Sequence, residues 1–317
     1  MKITYPVRLR AFVIALLLFT CSFSAAFAGE SGDAPIRIAI IDTGISTLAV
    51  DPSHADLGCN YVLPQYSTED LLGHGTAIAS IIAGSASAHV DGICPEAYLV
   101  PLVYRSVNEA GLEVSGDAEM VARAVYDAVD VYHCSIINIS SGTQQDVDSL
   151  RKAVEYASDR NVLVVSCAGN YGTRRPDAVF YPGAYKQVLC VGSSKADGTR
   201  ATFSQNNATV DLLAQGTALR IASVSGTLLW EGGTSYSTAI VSGAAARIWS
   251  NNPDLTAQQV REALLRCTQF VDGWKVLDLD AVSSYRESEM QLENEWRSAL
   301  ERRFRFMEHL IRCVLME

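Results

Sequence analysis

Positive charge is in short supply relative to negative in this chain. Its 317 residues carry 25 Lys and Arg against 35 Asp and Glu, a formal net charge of −10. No basic patch is left that could neutralise a phosphate backbone, so nucleic acid is not an expected partner. Long apolar runs are missing too. The run Ala11 to Thr20 falls well short of the ~20 residues a spanning helix needs, and membrane contact is not expected. None of the eight cysteines has the CxxC spacing of a zinc site, so no metal centre is read from them. A disordered composition is also absent, because 49% of the residues are apolar and the charge is mixed. That is enough to bury the core of one sizeable α/β domain.

The first 28 residues read as a secretory signal peptide. Lys2, Arg8 and Arg10 precede the apolar run, and small residues ending in Ala26-Phe27-Ala28 place cleavage after Ala28. A retained single-pass anchor and lipid attachment at Cys21 are the alternatives; Thr20 just before the cysteine fits the latter poorly. Cleavage would take the formal charge from −10 to −13, and the protein would be secreted or periplasmic. Seven cysteines would remain. Cys134, Cys167 and Cys190 lie in apolar runs and read as free core thiols, whereas Cys59, Cys94, Cys267 and Cys313 are the candidates for a bridge.

Down the chain, strand and helix patterns alternate. Ile36 to Ile41, Ala97 to Val103, Ser135 to Ile139, Val162 to Cys167 and Val188 to Val191 read as buried strands. Asp117 to Val131 and Asp146 to Arg160 read as amphipathic helices, the second with Val147, Leu150, Val154 and Ala157 at helical spacing. Shorter strands are expected near Val210 to Ala214 and Leu219 to Val224, and Thr256 with Gln259 makes a capping box for a helix reaching about Cys267. Such alternation predicts a mostly parallel central sheet with helices on both faces, a three-layer α/β fold.

Chemistry-bearing residues sit where that pattern builds sites. Gly232-Gly233-Thr234-Ser235 opens a long helix of small residues, presenting the Ser235 hydroxyl at a helix start where unpaired amides favour developing negative charge. Serine is a weak nucleophile without a base, and the chain supplies one in Gly73-His74-Gly75-Thr76, where two glycines leave the imidazole uncrowded. Asp42 ends the first strand; alone it would be a turn or cap residue. Asn170, after Ala168-Gly169, would be an ordinary turn asparagine unless its amide serves as an oxyanion donor. His54, His89, His133 and His309 lack the setting of His74 and read as solvated or core histidines.

Asp42-Thr43-Gly44, Gly73-His74-Gly75-Thr76, Ala168-Gly169-Asn170 and Gly233-Thr234-Ser235, in that order, resemble the subtilisin-like serine proteases over roughly residues 36 to 282. The resemblance implies a subtilisin-like fold and a secreted serine endopeptidase. Ser235 would be its nucleophile, His74 the general base, Asp42 the orienting carboxylate and Asn170 an oxyanion donor. It further implies that a polypeptide substrate adds as a strand beside Ser140-Ser141-Gly142, with Ala168, Gly169 and Phe180 around the pocket for the side chain preceding the scissile bond. Phe180 there points to a shallow pocket for small residues.

The chain departs from the family pattern at three places. Tyr236-Ser237-Thr238-Ala239-Ile240 replaces Met-Ala-Thr-Pro-His after the serine, so a proline is missing from the helix that carries Ser235. The loop Ser85 to Asp91 offers few oxygen ligands for the calcium ion that family members commonly hold there, and no cofactor is expected. Only residues 29 to 35 stand where secreted members carry a folded pro-domain. Residues 29 to 282 are thus read as the catalytic domain and 283 to 317 as a C-terminal amphipathic helix. Its stripe Trp296, Leu300, Phe304, Met307, Ile311 and Val314 needs a cover, either its own domain or a partner. The competing function is a subtilisin-fold protein that binds peptides, or processes a single partner, with little general proteolysis.

Overall fold

The computed structural model describes residues 35 to 286. The leader, the 287 to 317 stretch with its apolar stripe, and Cys313 lie outside the described residues. In chain order the elements are β1 (Arg37–Asp42), β2 (Cys59–Asn60), α1 (His74–Ala83), β3 (Tyr98–Val103), β4 (Arg105–Val107), β5 (Glu113–Ser115), α2 (Ala118–Asp130) and β6 (Ile136–Ile139). There follow α3 (Asp148–Asp159), β7 (Leu163–Cys167), β8 (Val188–Ser194), β9 (Leu212–Gln215), β10 (Leu219–Ala222), β11 (Leu228–Glu231), α4 (Thr234–Asn251), α5 (Ala257–Arg266), β12 (Thr268–Val271), β13 (Trp274–Leu277) and α6 (Leu279–Ser284).

Nine strands form one sheet in the order β12-β13-β9-β8-β7-β6-β1-β3-β2, every neighbouring pair parallel except β12 with β13. The central strands read as unbroken apolar runs because both faces are covered. Ile38 and Ile40 of β1 join a cluster with α1, α4 and α5, while Ala39 and Ile41 join α2 and α3 on the other side. The period of two along a strand thus feeds two separate cores. The α4 helix is buried almost all round, between the sheet, α1 and α5, which its small residues permit: Ala239, Ala244, Ala245 and Ala246 are fully inaccessible.

The three-layer α/β architecture agrees with the sequence reading, and the capping box of α5 forms, with Gln259 Oε1 accepting from the Thr256 amide at 2.8 Å. Other features differ. Leu228–Glu231, which carries no strand expectation above, is a strand paired antiparallel with β10 in a separate ribbon. The β4–β5 and β12–β13 hairpins are short and mostly half-buried, so they carry no buried period that a sequence could reveal. The expectation of a bridge among Cys59, Cys94 and Cys267 is overturned: all six described cysteines are free thiols. Cys94 and Cys267 are packed as small apolar side chains, which is what a buried cysteine contributes when no second sulfur lies within reach.

Candidate active site

Asp42 and Asn170 reach one end of the sheet because the parallel strands β1 and β7 finish there, and His74 and Ser235 come to it on helix starts. Asp42 is the last residue of β1, between β3 and β6, and is 2% exposed. Its Oδ1 accepts the Thr43 amide at 2.8 Å. His74 is the first residue of α1, and its Nδ1 lies 2.7 Å from Asp42 Oδ1 and 2.9 Å from Oδ2. A carboxylate only accepts, so Nδ1 carries the hydrogen and Nε2 is left as the free base. The charge of Asp42 raises the His74 pKa above its ordinary value, outweighing burial, which acts the other way.

The placement of His74 depends on contacts that the motif alone did not reveal. Asp70, 3% exposed, accepts the Leu72 and Gly73 amides on one oxygen and the Thr76 amide and hydroxyl on the other, at 2.7 to 2.9 Å. It supplies the first turn of α1 with the acceptor its unpaired amides need. Gly75 is required by close approach: a Cβ there would stand 2.2 Å from the Gly44 carbonyl oxygen. The Gly75 amide donates to Thr43 Oγ1 at 2.7 Å, tying α1 to the end of β1.

Ser235 is the second residue of α4, following Gly233 at φ 155. It is 9% exposed, and its hydroxyl donates to the Ser140 carbonyl at 3.2 Å. In return the Ser140 hydroxyl donates to the Ser235 carbonyl at 3.2 Å. Asn170 Oδ1 accepts both the amide and the hydroxyl of Thr234 at 2.9 Å, which fixes the flip of its amide. Its Nδ2 is turned to Gly233, 3.5 Å from where a Cβ would stand. The site is therefore three hydrogen-bonded pairs, Asp42 with His74, Ser140 with Ser235, and Thr234 with Asn170, the last two joined along the chain of α4. The Tyr236 ring, 5.7 Å from the imidazole centroid, joins them. Ser235 makes its resting hydrogen bond to Ser140 and not to His74.

The walls follow from the strands on either side. Ser140-Ser141-Gly142 continues β6, and Thr143 pairs back on Tyr181 through two backbone bonds of 2.9 and 2.8 Å. Ala168 extends the pairing of β7 with β8 by donating to the Val191 carbonyl. Phe180 lies between these walls. A Cβ on Gly169 would meet its ring at 2.8 Å and one on Gly142 would meet its Cβ at 3.4 Å, and its outer face stacks on Tyr171 at 5.6 Å. Beside it a cleft of about 470 Å³ is bounded by Tyr104, Gly116, Ser141, Thr143 and Tyr181. Cys167, on the strand leading to Ala168, has its thiol pushed up to about 11 by burial, and is unreactive at neutral pH. Asp70 and Thr234 had a visible signal, polar side chains at helix starts; Tyr236 and Tyr104 had none.

A sequence model of the subtilase family matches residues 33 to 291. The chain belongs to the subtilase family. It is 33% identical over 234 residues to Subtilisin Savinase of Lederbergia lenta, covering 72% of this chain and 81% of that protein. Against the Alkaline protease of Alkalihalobacillus alcalophilus the identity is again 33% over 72% of this chain, and the chain spans 58% of that relative's length. Among solved structures, the protease domain of PatA is 28% identical with a TM-score of 0.68, over 80% of this chain and 96% of that one. This subtilase is a serine protease of the subtilisin kind, with polypeptide as its substrate class. Among the described residues of the subtilase no helix is long and apolar enough to cross a membrane, and no three His, Cys, Asp or Glu stand together to hold a metal ion.

Proposed function

We propose that this subtilase is a secreted endopeptidase that cleaves peptide bonds through an acyl-enzyme on Ser235. His74 Nε2 takes the Ser235 proton as Oγ bonds to the scissile carbonyl carbon, and passes that proton to the leaving amine as the C–N bond breaks. Water, deprotonated by the same nitrogen, then releases the acyl group and restores the serine. Asp42 holds the imidazole in the tautomer that leaves Nε2 free and stabilises the imidazolium. The Asn170 amide and the Ser235 backbone N–H receive the oxyanion. The observation that carries the reading is the 2.7 Å contact of Asp42 with His74 Nδ1 beside a serine at a glycine-led helix start.

An extended substrate would add beside Ser140-Ser141-Gly142, and Phe180 between Gly142 and Gly169 supports a pocket that takes small side chains such as alanine. The same filled pocket bears on the narrower reading, a protease that processes a single partner with little general proteolysis. Secretion rests on the leader composition, and independence from calcium on the tight closure of Ser85 on Val90 by two backbone bonds. Deleting residues 283 to 317 and measuring oligomeric size and activity separates a helix that packs on its own domain from one that binds a partner. The deciding experiment labels the full chain with a serine-directed fluorophosphonate. Wild type should be labelled and Ser235→Ala should not; a wild type that resists labelling while folded refutes the endopeptidase.

A further inference from the structure

Burying polar side chains in an apolar layer is costly unless their hydrogen bonds are met, so a polar pair in the middle of such a layer calls for a reason other than stability. Asn138 is one. It sits in β6 among Ile136, Ile137 and Ile139, is fully inaccessible, and faces α4 with Ile136. Its Oδ1 accepts from the Ser242 hydroxyl at 3.0 Å, and its Nδ2 donates to Ser140 Oγ at 3.0 Å. Ser242 is likewise fully buried. A serine in a helix interior usually bonds back to its own helix. Thr238 does so, donating to the Thr234 carbonyl at 2.7 Å, whereas Ser242 reaches across to the sheet.

The spacing gives this contact its meaning. Ser242 lies seven residues after Ser235, two turns along the same face of α4, and Ser140 lies two residues after Asn138, on the same face of the β6 strand line. Two rungs therefore tie α4 to β6: Ser242 to Asn138, and Ser235 to Ser140 by the reciprocal pair of 3.2 Å bonds. The Asn138 to Ser140 bond links the rungs. We infer that Asn138 and Ser242 are positioning residues whose hydrogen bond fixes the register of α4 on the sheet and so the height at which Ser235 stands before His74. The family's proline in this helix is replaced here by Ala239, fully buried between the rungs, so the side-chain rungs supply the fixing.

The inference rests on Ser235 being the nucleophile. Its test is made on the full chain, with Ser242→Ala and the near-isosteric Ser242→Cys as loss variants and Ser242→Thr as the variant that keeps the hydroxyl. Active sites are counted by fluorophosphonate, then kcat and KM on a peptide, the phosphonylation rate and the melting temperature are measured. Displacement of a nucleophile by a fraction of an ångström to one ångström costs on the order of tenfold to a hundredfold in kcat. That loss is expected in Ser242→Ala and Ser242→Cys, with KM little changed, phosphonylation slowed in parallel and Ser242→Thr close to wild type. If Ser242→Ala fails to fold, Ser242→Cys against Ser242→Thr decides by the same readings. Loss variants that melt lower but keep kcat and phosphonylation within about twofold of wild type show a merely structural role and overturn the inference. A folded wild type that is not phosphonylated overturns the endopeptidase reading itself, which distinguishes the two failures.

Discussion

Replacing Asp70 with asparagine tests whether the turn before α1 aims His74. The buried carboxylate accepts four hydrogen bonds, from the amides of Leu72, Gly73 and Thr76 and the Thr76 hydroxyl. Asparagine keeps one acceptor oxygen and turns an NH2 group toward Thr76. The Thr76 hydroxyl can accept from it, but the Thr76 amide is left as a buried donor facing a donor. Stranding that amide costs ~1–3 kcal/mol, and exchanging two charged acceptor contacts for neutral ones about 1 kcal/mol each, for a sum of about 3–5 kcal/mol. In a domain of this size that lowers the melting temperature by on the order of 10 °C. A second effect has a definite sign. His74 is held above its ordinary pKa chiefly by Asp42, and Asp70 adds to the rise. Removing the Asp70 charge lowers that pKa, so the acid limb of kcat/KM, which reports the free base, shifts to lower pH. Thermal melts and kcat/KM against pH for wild type and Asp70→Asn check both. A melting temperature unchanged within about 2 °C, with an acid limb that stays or moves up, refutes the reasoning.

For the wild type, the raised His74 pKa places the rising limb of kcat/KM at a midpoint above 6.5; a pH profile already flat from pH 6 upward contradicts it. By linkage, protonated His74 stabilises the fold fully below 6.5, and this is lost as pH rises through the folded pKa, so His74→Ala should flatten the pH dependence of the melting temperature over that window. Asn170→Leu should lower kcat by ~10² to 10³ with little change in KM, the range known for the corresponding asparagine of subtilisin. Phe180→Gly should empty the slot between Gly142 and Gly169 and move cleavage preference from small to large side chains, read on a peptide library. Because the six described cysteines are free, a reductant should leave the thermal melt unchanged.

The amino-acid sequence by itself determined the layered sheet and singled out the residues that the structure gathers at one end of it. Strands buried on both faces must be apolar throughout, and a hydroxyl, an imidazole and an amide beside glycines mark turns that a covered sheet presents at one end. Those signals are local, a few residues long, and survive without knowing what packs on what. Only the tertiary structure decided how the pieces are held. The reciprocal bond of Ser140 with Ser235 joins positions 95 apart, and that of Asn138 with Ser242 positions 104 apart, so neither leaves a local period to read. Thr234 against Asn170 and Phe180 between two glycines are likewise meetings of separate loops. The thiols stayed free for the same reason: pairing depends on where the fold puts each sulfur, and even Cys167 and Cys190, on the adjacent strands β7 and β8, are unbridged.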